Sequence, residues 1–167
     1  MNRRSRATGL RGRCTDESGF AGGAEALPFG VLVFVIGSLL LANAWGVIDA
    51  KIAAYAAARE ATRAYVESSG PTADDASRDA HLAAEAAFTG HGRDASRMTL
   101  ENRGAVTYAR CAPITFEVSY PVPTISLPWV KALGPGAITV RASHSEVVDP
   151  YRSGVPSIES PTDTPCR

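Results

Sequence analysis

ALPFGVLVFVIGSLLLANAWGVI, residues 26–48, is the stretch whose reading decides the fold. Its 23 residues include no Asp, Glu, Lys, Arg or His. As a helix rising about 1.5 Å per residue it would extend roughly 34 Å, enough for a hydrocarbon core of about 30 Å. Its Leu, Ile, Val and Phe side chains together favour insertion by on the order of 4 to 8 kcal/mol, which Ser38 and Asn43 offset only in part. The run predicts one membrane-spanning helix. The alternative is a helix of the same length buried in a soluble core, where such uniformity is uncommon.

Working outward, residues 1–23 carry Arg3, Arg4, Arg6, Arg11 and Arg13 against Asp16 and Glu17. Basic flanks stay on the cytoplasmic side, so the N-terminus is expected inside and everything after Ile48 outside. No later stretch is apolar enough to cross again. A rival reading is a secretory signal peptide, because Ala42-Asn43-Ala44 fits the small-x-small cleavage rule. Cleavage after Ala44 would leave a secreted binding domain starting at Trp45. Against it stand a long leader with its own acids and glycines, and a helical pattern that runs through Trp45 unbroken.

That pattern continues as DAKIAAYAAAREATRAYVESSG, residues 49–70. Alanine is the best helix former, and neither Pro nor Gly interrupts before Ser68. Ile48, Ile52, Tyr55, Thr62 and Val66 form a weak stripe at helical spacing. Arg63 can pair with Glu60 or Glu67. Ser68-Ser69-Gly70-Pro71 terminates the helix, which is expected over residues 24–66. Its alanines either allow close approach of neighbouring helices or simply reflect helix propensity. A second helix is expected over residues 73–88, with Thr72 and Asp75 resembling a capping box and Asp74 and Asp75 in its first turn.

Beyond Arg97 the period changes to two. Ile114, Phe116, Val118 and Tyr120 alternate with polar residues, as do Ile138, Val140, Ala142 and His144, which predicts two half-buried antiparallel strands. Between them, residues 121–136 hold Pro121, Pro123, Pro128 and Pro135, which forbid a central strand and predict a loop. That loop has an apolar tip of Ile125, Leu127, Trp129, Val130 and Leu133. A further hairpin is expected between residues 98–101 and 105–108, turning at Asn102-Arg103-Gly104. The tail from Asp149 is rich in Pro, Ser and Thr and reads as irregular. The division expected is a basic leader (1–23), a long helix (24–67), a small extracytoplasmic α+β domain (68–148) and a tail (149–167).

The chain balances 17 basic against 17 acidic side chains, so it lacks the charge of a nucleic-acid binder. His81, His91 and His144 show no metal-ligand spacing. No phosphate-cradling Gly-rich loop precedes a soluble helix, and no serine sits in a strained strand-to-helix turn. The expectation is a protein without catalytic, cofactor or metal residues. Cys14 falls on the expected cytoplasmic side. Cys111 and Cys166 both fall outside, where they either form a disulfide that ties down the tail or stay as two free thiols.

The order of basic leader, Gly19, small residues, Glu25 and apolar helix resembles the N-terminus of type IV pilin-like proteins. AAREATRA, residues 57–64, looks like the Ala-Arg-Glu segment of TadE-like pilus assembly proteins of tight-adherence systems. The later order of strand, Pro-rich stretch and strand is also similar to that family. The resemblance implies a minor pilin or pilus-assembly factor. Its partners would be the cytoplasmic membrane, other pilin-like subunits, the assembly platform and a prepilin peptidase that cuts after a Gly. It implies that Glu25 meets the terminal amine of a neighbouring subunit. A cut after Gly19 makes Phe20 the first residue and Glu25 the sixth, where the family has its acid fifth; a cut after Phe20 restores the spacing and loses the Gly. Without the family, Glu25 reads as an interfacial acid at a helix N-terminus.

Overall fold

A computed structural model describes residues 18–104, 108–123, 138–156 and 166, with side chains from residue 26 onward. The chain divides into two compact units, Met1–Leu40 and Leu41–Arg167. The described elements are a long helix α1 (Ser18–Glu67), a second helix α2 (Ala73–Gly90), a 3-10 turn (Ala95–Arg97), and strands β1 (Thr99–Asn102), β2 (Pro113–Val122) and β3 (Ile138–Val147). The fold class is α+β, as the change of period from 3.6 to two implies.

In the first unit, α1 begins at Ser18 rather than at Ala24. Pro28 lies inside it, where its ring removes one backbone donor. Large apolar side chains stay exposed there: Leu27, Phe29, Phe34 and Leu40 are 64–74% exposed. The apolar window of this helix is 0% buried within the chain, so it is not the core helix of a soluble protein. Among the described residues, one helix is long and apolar enough to cross a membrane.

In the second unit the same helix changes character. Ala50, Ala53, Ala54, Ala57, Ala58 and Ala61 are all fully buried, followed by Thr62 and Tyr65. They join Ala76, Ala80, Ala84 and Phe88 of α2 and the inner face of the sheet in one hydrophobic core. The alanine flank is therefore occupied by the chain's own domain. Small side chains let the helix backbones come close to their neighbours, and the bulk of the core comes from the sheet. Ile48, Ile52 and Tyr55, expected on a common stripe with Thr62 and Val66, point outward at 50–55% exposure, while Thr62 is buried. Thr62 donates to the Ala58 carbonyl at 2.7 Å and lies 3.2 Å from the carbonyl of His144 in β3. Of the two pairings open to Arg63, the ion pair forms with Glu67 at 3.1 Å.

The turn between the helices follows from Ser68 and Gly70. The Ser68 hydroxyl donates to Asp79 at 2.5 Å and accepts from the Gly70 N–H at 3.2 Å. A Cβ on Gly70 would lie 2.2 Å from that of Asp75, so the turn closes only around a glycine. Thr72 caps α2, accepting from the Asp75 N–H at 3.2 Å. Its hydroxyl in turn donates to the Asp75 carboxylate at 2.6 Å. That bond is the main reason the Asp75 carboxyl is held below its ordinary value.

The sheet is antiparallel in the order β1-β2-β3. Along β2, Ile114, Phe116, Val118, Tyr120 and Val122 are buried and alternate with part-exposed residues, as the period-two pattern predicts. On β3, Val140 and Ala142 are buried, while Ile138 at the strand's start is exposed and His144 half-buried. Both helices pack on this face. Tyr65 of α1 meets Phe116 edge-on at 5.5 Å, and Phe88 of α2 meets Tyr120 at 4.9 Å.

β1 pairs with β2, Leu100 opposite Val118 and Asn102 opposite Phe116. The partner expected for it was residues 105–108. Residues 105–107 lie outside the described residues, and Tyr108 lies outside any strand. Asn102 is the last residue of β1, and Arg103 and Gly104 continue beside β2. The Asn102 side chain accepts from the Gly104 N–H at 2.8 Å, and Arg103 N–H donates to the Thr115 carbonyl at 2.7 Å. A Cβ on Gly104 would sit 2.5 Å from the Thr115 nitrogen, so the glycine serves a close approach to β2.

β2 also runs through Pro121 to Val122, although it is the central strand. β1 pairs only as far as Ser119, so at Pro121 the strand is an edge on that side and tolerates a proline. The rest of the Pro-rich loop and its apolar tip lie outside the described residues. Cys111 and Cys166 are joined in a disulfide, with Cα atoms 4.9 Å apart. Cys111 has φ 65°, in the left-handed region, and its N–H donates to the Val148 carbonyl at 2.9 Å. Val155 is buried and the Pro156 carbonyl accepts from Arg110 N–H, so the start of the tail packs against the domain.

Candidate functional site

The residues singled out in the sequence fall in two places. Gly19, Phe20 and Glu25 lie on the N-terminal turns of α1, and their backbone is helical. Their side chains, and the leader with Cys14 and its arginines, lie outside the described residues. Gly19, Gly22 and Gly23 each cost about 1 kcal/mol relative to Ala in a helix interior. This is the part of α1 with the lowest intrinsic tendency to stay helical, and a cut there requires local opening.

The second place is the surface of α1 itself. Residues 26–48 present apolar side chains on every side, the pattern of a helix whose solvent is lipid. Where this surface meets the domain, charge begins with Asp49. Arg93, just beyond the end of α2, donates through Nε to the Asp49 carboxylate at 3.1 Å and through Nη2 to the Gly46 carbonyl at 3.3 Å. Its Nη2 also forms an ion pair with Asp49. Lys51 donates to the Arg141 carbonyl of β3. The helix leaves the domain through a turn held by charged contacts on both sides.

The sequence reading missed this Arg93–Asp49 clamp. The two residues are 44 positions apart, and no local pattern links them. It joined Ile48, Ile52 and Tyr55 in a stripe with Thr62 and Val66, whereas the exposed stripe runs through Leu41, Trp45, Ile48, Ile52 and Tyr55. The signal for that stripe was present: an unbroken 4-3-4-3 spacing whose members the alanine face excludes from the core.

His144 lies 3.2 Å from Glu146 and edge-on to the Tyr55 ring at 5.9 Å. It contributes to packing between β3 and α1. His81 and His91 are exposed on and just after α2. Among the described residues no group of three or more His, Cys, Asp or Glu could hold a metal ion. The disulfide borders an open depression lined by Pro113, Val147 and Pro150.

No family model, curated protein or solved structure matches this chain. The fold and the apolar helix define it, at the class level, as an α+β domain built on the end of a helix able to span a membrane.

Proposed function

We propose that the chain is a TadE-like minor pilin or pilus-assembly factor, anchored by α1 with its N-terminus in the cytoplasm and its α+β domain outside. It works by assembly through helix packing and not by catalysis. The observation that carries this reading is the double use of α1. One half is apolar and wholly unburied, and the next half is a structural wall of the domain. The Cys111–Cys166 disulfide supports an oxidising compartment for the domain, and the arginines of the leader support an inside N-terminus.

In this reading a prepilin peptidase cuts beside Gly19 or Phe20, and Glu25 then pairs with the terminal amine of a neighbouring subunit. A carboxylate at the edge of the hydrocarbon is costly alone and tolerable beside a cation. Glu25→Ala is expected to leave membrane fractionation unchanged and to reduce recovery in a pilus or a crosslinked pilin complex, with Glu25→Asp intermediate. Wild-type piliation of a deletion strain complemented with Glu25→Ala, at equal membrane abundance, would rule out this role. A helix-dipole acid worth about 0.3–1 kcal/mol predicts that result instead.

A second reading is a secreted or membrane-anchored binding domain released by cleavage after Ala44. The observation in its favour is that the second unit starts at Leu41 and its buried helix face only at Ala50, so such a cut leaves the core whole. Intact mass of the mature protein separates the two: a start near Phe20 supports the pilin reading, and a start at Trp45 the secreted one.

A further inference from the structure

Within the second unit, the end of the domain where the uncharged run stops is ringed by bases. Arg93 reaches past Asp49 and donates to the carbonyl of Gly46, two residues inside that run. Lys51 stands three residues beyond Ile48 and donates to the Arg141 carbonyl of β3. Arg141 lies opposite Ser119 of β2, and Arg97 donates to the carbonyl of Pro121, two residues further along that strand, at 3.1 Å. Lys51, Arg97 and Arg141 are all exposed. The acids at this end are engaged. Asp49 pairs with Arg93, and the Asp94 carboxylate accepts from the Ser96 N–H and hydroxyl. The opposite end, at the turn between the helices, has the reverse balance, with Glu67, Asp74, Asp75 and Asp79 against Arg63 and Arg78.

The helix fixes the depth of these bases. From Leu41 to Glu67 α1 is unbroken, so no linker lets the domain draw away from the end of the run. A bilayer about 40–45 Å thick around a hydrocarbon core of about 30 Å leaves roughly 5–8 Å of headgroup on each side. With Ile48 at the edge of the hydrocarbon and about 1.5 Å of rise per residue, Asp49 to Lys51 fall inside that layer. So does the guanidinium of Arg93, which touches residue 46. Trp45, one turn before Asp49 and 70% exposed, suits the same interface. The anions of that layer are phosphates, and Lys and Arg beside an anionic lipid surface are drawn to it. Lys51 and Arg97 carry more donors than one backbone carbonyl can take, which leaves donors for phosphate oxygens.

We propose that Lys51, Arg97 and Arg141 form a docking face for the acidic phospholipid headgroups of the bilayer that α1 spans, gathering anionic lipid at the foot of the domain. Arg93 is held by Asp49 and keeps the face aligned with the helix. The proposal rests on the membrane-spanning reading but not on any pilus.

The test uses the full chain with Cys14→Ser and Thr139→Cys, an exposed position at the start of β3, reconstituted in phosphatidylcholine vesicles. A dye on that thiol transfers energy to trace phosphatidylglycerol or to trace phosphatidylcholine, each labelled on its acyl chain so that the headgroup stays intact. Transfer to phosphatidylglycerol is expected to be about twice that to phosphatidylcholine. The preference should vanish in about 1 M salt, where the screening length is about 3 Å. Lys51→Gln, Arg97→Gln and Arg141→Gln together are expected to remove it, and Arg97→Lys with Arg141→Lys to keep it. Equal transfer to the two lipids would overturn the proposal, as would a preference that survives the triple substitution or high salt. Near-ultraviolet circular dichroism shows whether the triple variant is folded. If it is not, Arg141→Gln alone is expected to lower the preference by about a third, and an unchanged preference would overturn the proposal. Release of the chain from the vesicles by alkaline extraction would overturn the spanning reading, and this proposal with it.

Discussion

The two halves of α1 obey opposite rules. Residues 26–48 carry Leu, Ile, Val, Phe and Trp, and none of their large apolar side chains is buried. Residues 50–65 carry mainly alanine, and their inner face is completely buried. Hydrophobicity alone would rank the two the other way. What decides burial is whether the chain supplies a neighbour. Alanine draws the helix close to α2 and the sheet, where Ile114, Phe116, Val118 and Phe88 supply the volume. The chain buries none of the large apolar side chains of the first half, although Val47 at its end packs against the core, and their full transfer to an apolar environment would be worth up to on the order of 20–40 kcal/mol, more than the 5–15 kcal/mol that typically holds a domain together.

The sharpest way to break this contrast is to substitute one apolar residue on each half. Ala57→Glu buries an unpaired carboxylate and is expected to cost the domain about 3–5 kcal/mol, enough to abolish cooperative unfolding by near-ultraviolet circular dichroism. Val33→Ala, on the bare half, is expected to change the domain's unfolding by less than about 0.5 kcal/mol, although it deletes two methyl groups. A domain that tolerates Ala57→Glu would show that the alanine face is not its core.

A smaller effect is expected at the disulfide. Cys111→Ser opens a bridge between residues 55 positions apart and is expected to cost about 2–4 kcal/mol in urea unfolding. It should leave membrane retention unchanged, because nothing in the first unit depends on it.

A smaller loss again is expected at the α2 cap. Thr72→Ala removes the acceptor for the Asp75 N–H and is expected to cost about 1 kcal/mol. It also removes the main interaction that lowers the Asp75 carboxyl from its ordinary 3.8. A carboxyl lowered in the folded state contributes stability that is present above its unfolded value and lost as pH falls through the lower folded one. The difference between wild type and Thr72→Ala should therefore hold steady above pH 3.8 and shrink below it. A difference that grows on acidification would contradict the assigned hydrogen bond.

These elements also show what the sequence could reveal. The apolar run, β2, most of β3 and the Thr72 cap were legible because each is governed by a local period or a three-residue spacing. The end of α1 was legible from Ser68-Ser69-Gly70-Pro71. The pairing of β1 with β2 was not, because the close approach of Arg103 and Gly104 to Thr115 has no local signature beyond a turn-like composition. The inner face of α1 was not legible either, because a stripe of bulky residues normally marks the buried side and here marks the exposed one. The clamp of Arg93 on Asp49 depends on how α2 returns along α1, a tertiary fact without a local signature.

The central claim is that α1 crosses the membrane and carries the domain on the far side from the cytoplasm. Its most direct test places a single reactive thiol at Ser69, which is exposed in the turn between the helices, in a Cys14→Ser background. A membrane-impermeant maleimide should label Ser69→Cys in intact spheroplasts as fully as after lysis. Labelling that appears only after lysis would put the domain in the cytoplasm and contradict the account.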